Sequence, residues 1–232
     1  MQLIIEDLSY TAGDFRLTAT GTFGEGVHLL SGRVGSGKST FATLASGMAR
    51  PTSGTLRREG IGTVLLSLQF PEYHVTGISV AEEVRSWGLD PGRILAASRM
   101  EARGGEDIAR LSRGELKRLH LECVLSAGAD LLILDEPFSA LDCREKIAIG
   151  RRIAGRNKGI TLLCTHEQAH LPDVDFIWEI ESGVVHCRGR VPDAIARWNG
   201  APRHIRALLD EGITPHNISP GAVEEALCRT LE

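Results

Sequence analysis

Val27-His28-Leu29-Leu30-Ser31-Gly32-Arg33-Val34-Gly35-Ser36-Gly37-Lys38-Ser39-Thr40 runs from an apolar segment of strand length into a glycine-rich stretch and then into a helical pattern. Its second half fits G-x-x-x-x-G-K-[ST], a motif that carries meaning only between a strand and a helix, which is where it stands here. Gly32, Gly35 and Gly37 let successive backbone N–H groups, Ser36 among them, converge on one anion, because a Cβ would hold it off. The N-terminus of the following helix adds a partial positive charge. Lys38, one of only four lysines in the chain, would bridge β- and γ-phosphate oxygens, and Ser39, with Thr40 beside it, would ligate Mg²⁺. The stretch predicts a nucleoside triphosphate site.

A second stretch completes the chemistry. Leu131-Leu132-Ile133-Leu134 leads into Asp135-Glu136, four apolar residues ending in two acids. A buried parallel strand presents its functional residues at its C-terminal end. Asp135 there would hold the metal shell, and Glu136 would polarise an attacking water as general base. Alone, the run equally describes a strand with a solvated acidic exit; the phosphate loop upstream gives it the catalytic reading.

Around these stretches apolar runs alternate with helical patterns, which predicts an α/β protein with a largely parallel sheet. Strands are expected over residues 2–5, 16–22, 27–31, 54–57, 62–68, 131–135 and 160–164, with a hairpin over 176–180 and 184–187. Helices are expected over 38–46, 114–126 and 144–156, and over 79–109 with breaks at Asp90-Pro91 and Gly104-Gly105. From Val191 onward, short helices broken at Pro192, Pro202, Pro215 and Pro220 form a tail. With 42% apolar and 24% charged residues the composition is that of a folded globular chain. A net charge of −4 offers no broad basic surface, which excludes electrostatic capture of nucleic acid as the main function. No apolar run approaches the ~18 residues of a membrane span, and the start Met1-Gln2-Leu3-Ile4-Ile5-Glu6-Asp7 has no positive flank, so no signal peptide is expected. Cys123, Cys143, Cys164, Cys187 and Cys228 are scattered, without a C-x-x-C pair, and read as reduced thiols.

Further pieces follow in order. Gln69 ends a strand, Leu111-Ser112-Arg113-Gly114-Glu115 opens a helix, Ser139-Ala140-Leu141-Asp142 follows the two acids, and His166 ends another strand; Pro51-Thr52-Ser53-Gly54 follows the first helix. With the phosphate loop, these make residues 1–190 resemble the ATP-binding-cassette (ABC) ATPases. The resemblance implies a RecA-like P-loop NTPase core with an antiparallel β subdomain, a helical signature subdomain over about 71–127, and residues 191–232 as a short C-terminal helical appendage. It implies ATP and Mg²⁺ as the cofactors. Gln69 would be the Q-loop glutamine beside nucleotide and metal, and His166 the switch histidine acting with Glu136 in catalysis. Ser112 and Gly114 belong to the signature and Asp142 to the D-loop. The signature forms an anion site at a helix start that in the family points away from its own phosphate loop, so a second ATPase subunit, identical or related, would close head-to-tail over the γ-phosphate. Arg113 and Glu115 replace the usual Gly and Gln, while Ser112 and Gly114 are kept. The family's adenine-stacking aromatic would fall near Ala12, which cannot stack; Tyr10 and Phe15 are the nearby aromatics, and both also suit a strand face.

Gln69-Phe70-Pro71-Glu72, followed by Val80-Ala81-Glu82-Glu83-Val84, is similar to the Q-loop region of the energy-coupling-factor (ECF) importers, which take up metal ions and vitamins. The tail, with Gly212-Ile213-Thr214-Pro215 and a last helix through Leu227 and Leu231, is like the appendage that helps hold two such ATPases together. The implied setting is cytoplasmic, peripheral on the inner face of the membrane, docked to transmembrane subunits through Phe70, Tyr73, Val75 and Trp87, with no nucleic-acid partner. The alternative is an ABC ATPase not coupled to transport, for example in cluster assembly. DNA-repair members interrupt the cassette with long inserts, but here only about 42 residues separate Gln69 from Leu111, without heptads. His166-Glu167-Gln168-Ala169-His170 also matches the zinc-protease motif H-E-x-x-H. That chemistry needs both histidines on one helix. Thr165 reads as an N-cap, yet Leu171-Pro172 would end any helix almost at once, which predicts a solvated His170 and no zinc site.

Overall fold

The structure is a computed structural model, and it describes residues 1–230; Leu231 lies outside the described residues. The strands are β1 (Gln2–Ala12), β2 (Phe15–Phe23), β3 (Gly26–Ser31), β4 (Ser53–Glu59), β5 (Val64–Ser67), β6 (Leu131–Asp135), β7 (Ile160–Cys164), β8 (Phe176–Glu181) and β9 (Val184–Arg190). The helices are α1 (Lys38–Ser46), α2 (Val80–Ser86), α3 (Pro91–Ala97), α4 (Arg113–Ser126), α5 (Cys143–Ala154), α6 (Arg203–Asp210) and α7 (Pro220–Thr230). All nine strands form one sheet in the order β4-β1-β2-β9-β8-β3-β7-β6-β5. Its two halves differ. β8, β3, β7, β6 and β5 run parallel, whereas β4, β1 and β2 pair antiparallel. This is the expected P-loop α/β core with an antiparallel extension.

The parallel half is buried on both faces. In β6, Leu132 and Leu134 join one core with Val124 and Leu125 of α4 and Ile149 and Ile153 of α5. Leu131 and Ile133 face the other way, onto Phe41 and Leu44 of α1 and Leu3 and Leu17 of the antiparallel half. Period-2 alternation between two apolar layers makes such a strand read as an uninterrupted apolar run. Each buried Leu or Ile adds ~1.5–3 kcal/mol of transfer free energy. The register sets Leu134 beside Leu163 and Asp135 beside Cys164, and Leu30 beside Cys164. The C-terminal ends of β3, β6 and β7 therefore finish level, with Ser31, Asp135 and Thr165 just at the edge where parallel sheets bind ligands.

The stretch over 79–109 breaks at Asp90-Pro91 as expected, into two short helices, and then differs from expectation in forming 3₁₀ turns at Glu101–Arg103 and Ile108–Arg110. α2 ends at Trp87-Gly88, where Gly88 takes φ 70°, and α3 restarts at the Asp90 N-cap with Pro91 in its first turn. These pieces surround a separate small core of Val80, Val84, Ile94, Leu95, Met100, Ile108, Leu116, Leu119 and Cys123. The tail packs into the main core, where Ile195, Trp198, Ile205, Leu208 and Ile218 join Val27, Leu29 and Ile177. Its Trp198 indole N–H donates to Ser31 Oγ at 2.7 Å, one residue before the phosphate loop, and Glu179 on β8 accepts the Asn199 and Gly200 amides at 3.2 and 2.5 Å.

Candidate active site

The loop from Gly32 to Gly37 leaves β3 and turns directly into α1, whose N-cap is Gly37 at φ 110°, a conformation closed to ordinary L residues. Phe15 packs so close that a Cβ on Gly37 would lie 2.8 Å from its ring. The result is a cleft of about 290 Å³ lined by Phe15, Val34, Gly35, Gly37, Lys38, Ser39, Thr40, Gln69, Glu136 and His166. Gly32 lines the neighbouring space with Ser36. The aromatic at the cleft is Phe15; Tyr10 packs with the core on the β1 side.

Lys38 is buried, and its Nζ donates to the carbonyls of Gly32 at 2.8 Å and Arg33 at 3.1 Å, with Glu136 Oε1 at 3.8 Å. The ammonium is thus held in the mouth of its own loop. Asp135 is 3% exposed, lies beside the Ser39 hydroxyl, and has its pKa raised, first by desolvation. Its Oδ1 has no hydrogen-bond partner, and neither does the buried Ser36 Oγ. A buried carboxylate oxygen without a partner is costly, and a hard cation beside it removes that cost. The donor set of Asp135 and the Ser39 hydroxyl suits Mg²⁺, which takes one or two protein oxygens and completes its shell with phosphate and water. Among the described residues no cluster of three or more His, Cys, Asp or Glu side chains could hold a metal by itself.

Glu136 follows β6 with φ 48°, a strained conformation for a non-glycine residue. The turn is held by its N–H donating to Cys164 O at 2.8 Å. Its carboxylate is fixed from β7: Thr165 Oγ donates to Oε2 at 3.0 Å, the His166 amide to Oε1 at 3.1 Å, and His166 Nδ1 lies 2.7 Å from Oε1. With a carboxylate opposite, Nδ1 carries the proton, which leaves Nε2 for a ligand in the cleft. Thr165 was expected only to cap a helix. No helix follows, so its hydroxyl accepts the Glu167 amide and donates to Glu136. The H-E-x-x-H match therefore falls in non-helical chain: His166 sits on Glu136, Glu167 pairs with Lys146, and His170 is half-buried rather than solvated.

Ser112, Gly114 and Asp142 do not line this cleft. Ser112 is the N-cap of α4, its Oγ accepting the Glu115 amide while Glu115 Oε2 accepts the Ser112 amide at 2.8 Å. Asp142 caps α5 in the same reciprocal way with Glu145. Gly114 presses on the D-loop, since a Cβ there would lie 2.8 Å from Ala140 O. Both unusual signature residues have local work. Glu115 closes the capping box and pairs with Arg103, and hydrogen bonds from Ser112 hold its pKa below the ordinary value. The Arg113 guanidinium lies 4.8 Å from the centre of the Phe70 ring, with Nε 3.6 Å from Glu72 Oε1.

Beneath Gln69 lies a polar cluster that sequence reasoning missed. Lys117 Nζ donates to Leu68 O at 3.3 Å and Gln69 O at 3.1 Å. Ser67 Oγ meets His120 Nε2 at 3.0 Å, the Leu68 amide donates to His74 Nε2 at 3.1 Å, and the two imidazoles stack at 4.5 Å. Burial lowers the pKa of both histidines and pushes Lys117 down to about 8. The available signal was two polar residues, Lys117 and His120, three apart on a helix otherwise rich in leucine. Of the expected docking residues, Phe70 and Tyr73 are exposed, at 39% and 74%. Val75 and Trp87 pack against the small helical core instead, with the Trp87 indole donating to Glu83 Oε1 at 3.0 Å.

A parallel sheet whose strand ends carry a glycine loop, a buried lysine, a serine–aspartate pair and a held glutamate defines a phosphate-loop nucleoside triphosphatase. The ABC transporter family model matches residues 22–139, half of the chain. The chain belongs to the ABC transporter family and is an ATPase of that family. It is 28% identical over 191 residues to the biotin transport ATP-binding protein BioM of Rhodobacter capsulatus, covering 73% of this chain and 81% of that one. It is 29% identical over 195 residues to the energy-coupling factor transporter ATP-binding protein EcfA1 of Thermotoga maritima, covering 74% of each. Among solved structures, an ATP-binding subunit of an ABC transporter superposes over the full length of both chains, with a TM-score of 0.70 at 20% identity. The dimeric ATP-binding cassette MJ0796 bound to ADP and Pi superposes with a TM-score of 0.64 at 16% identity, over 79% of this chain and 96% of that one. Among the described residues no helix is long and apolar enough to cross a membrane.

Proposed function

We propose that this chain is the ATP-hydrolysing subunit of an ECF-type importer for a metal ion or vitamin. In this reading two ATPase subunits close head-to-tail and dock on transmembrane partners at the inner face of the membrane. The observation that carries the catalytic part is the convergence of Lys38, Ser39, Glu136 and His166 on one cleft, with Asp135 buried behind Ser39. The loop amides and Lys38 bind the phosphates, and Phe15, which lines the cleft, would meet the base. Ser39 and Asp135, with Gln69 alongside, would hold Mg²⁺, which when bound supplies charge neutralisation on the β- and γ-phosphate oxygens. Glu136 accepts the proton of the attacking water, and His166 contacts the γ-phosphate through Nε2. Ser112, Gly114 and Asp142 serve the partner's nucleotide, consistent with their absence from this chain's own cleft.

We also assign residues 1–190 to the ATPase domain, with a helical subdomain over about 71–127, and 191–232 to an appendage. The ECF reading draws support from the two relatives named above and from the exposed Phe70–Tyr73 pair, set edge to face at 6.0 Å beside Gln69. Such a pair suits a short helix of a membrane subunit. The test is Phe70→Asp with Tyr73→Asp. ATP binding by the isolated subunit should persist, while co-purification with the membrane subunits and uptake should both be lost. A double mutant that still assembles and transports would place docking elsewhere.

A further inference from the structure

We infer that Lys117 is a positioning residue that sets Gln69 by holding the Q-loop backbone to the signature helix; this rests on the reading of Gln69 as part of the nucleotide and metal site. The ladder between β5 and β6 ends at Ser67 paired with Leu134. The carbonyls of Leu68 and Gln69 thus lie beyond the last sheet pair, where a partly buried acceptor needs another donor. Lys117 supplies it to both, from a helix 48 residues further along the chain. His120, on the same face of α4, holds Ser67, and His74 takes the Leu68 amide. Three consecutive residues at the strand exit are therefore fixed by side chains, each of them by Lys117 or His120 of α4, and Gln69 goes on to line the cleft.

Stability does not explain the lysine. Its side chain is fully buried, and a buried charge costs desolvation that an apolar side chain of similar length would avoid. What the ammonium contributes is geometry. It spans two carbonyls of adjoining residues, and it does so from the helix that begins at Ser112. Movement of α4 therefore carries the Gln69 backbone with it, giving the coupling a physical link.

The test uses the full chain with Lys117→Met, which keeps volume without a donor, and Lys117→Gln, which keeps a donor without the charge. Gln69→Ala is run in parallel. ATP affinity without Mg²⁺ reports the phosphate loop and should stay within about twofold in both Lys117 variants. In Lys117→Met the Mg²⁺ concentration for half-maximal ATPase should rise about tenfold and kcat should fall about tenfold, matching the direction of Gln69→Ala. Lys117→Gln should return both to within about threefold of the parent. Unchanged Mg²⁺ dependence in Lys117→Met, with a clear shift in Gln69→Ala, overturns the role of Lys117 alone. No shift in Gln69→Ala overturns the underlying assignment of Gln69. If Lys117→Met does not fold, Lys117→Gln decides: near-parental Mg²⁺ dependence supports positioning through hydrogen bonds, and a tenfold shift overturns it.

Discussion

The phosphate loop and the stretch from Gln69 to Ser112, which meets the same cleft at Gln69, are built by opposite means. The loop is made by backbone: residues adjacent in sequence, glycines at positive φ, and a helix that starts where the loop ends. Between Gln69 and Ser112 the chain is short helices and 3₁₀ turns held by side chains, some from within the segment and some from α4. Glu83 caps the Thr76 and Gly77 amides, Lys117 and His120 hold the strand exit, and Arg113 lies over Phe70. The comparison teaches a division of labour. The residues proposed for the chemistry sit on the rigid sheet edge, and the segment proposed to face a membrane subunit takes its geometry from a few replaceable contacts.

The largest effect expected on the rigid side is from Glu136→Gln. Turnover should fall at least ~10²-fold as the general base is lost, while ATP binding measured at equilibrium persists because Lys38 and Asp135 remain. Near-normal turnover would move the base elsewhere and break the assignment of chemistry to the sheet edge.

The next test probes the strand that launches the loop. His28, 1% exposed, lies between Gly24 O and the Trp178 indole, and desolvation lowers its pKa to about 4. The folded state keeps it neutral while the unfolded chain takes up a proton below about 6.5. Its contribution is therefore present above pH 6.5 and is lost as pH falls toward 4, by ~3 kcal/mol over that window. Asp135, with its raised pKa, acts in the opposite direction. Urea midpoints from pH 7 to 4.5 should show a downward slope that flattens in His28→Gln; an unchanged slope would remove His28 as its source.

Lys38→Ala should weaken ATP binding by about 10-fold or more, since a charge-assisted contact contributes ~1.5–3 kcal/mol. His166→Ala should leave binding near the parental value while turnover falls. Equal loss of binding in both would mean that the two residues do not divide the work between phosphate capture and catalysis.

The smallest effect is on the side-chain-built half. Gly114→Ala places a methyl against Ala140 O, which should cost ~1–3 kcal/mol of thermal stability and reduce hydrolysis more than ATP binding. Full stability with lowered hydrolysis would instead tie Gly114 to the second subunit's phosphate alone.

Legibility in the sequence followed the same division. Every strand of the parallel half and α1, α4 and α5 stood within a few residues of their expected places, and the cleft gathers the phosphate loop, Gln69, Glu136 and His166. These were readable because strand, glycine turn and helix start are neighbours in the chain, so the motif and its geometry coincide. Over 79–109 the helical periodicity and the breaks at Asp90-Pro91 and Gly104-Gly105 are legible, but not that the pieces after α3 close as 3₁₀ turns, because segments this short take their form from tertiary packing.

The sequence by itself determined the α/β class, the nucleotide, the two acids and the family, since each rests on local spacing and strand ends. Only the tertiary structure decided how those residues are held. It set Thr165 against Glu136 across 29 residues, Lys117 under Gln69 across 48, and Trp198 on Ser31 across 167. It also turned Val75 and Trp87 inward and drew the tail into the core. The physical reason is that a hydrogen bond between distant residues leaves no periodic trace in sequence: a threonine, a lysine or a tryptophan shows its partner only once the sheet register has brought the two together.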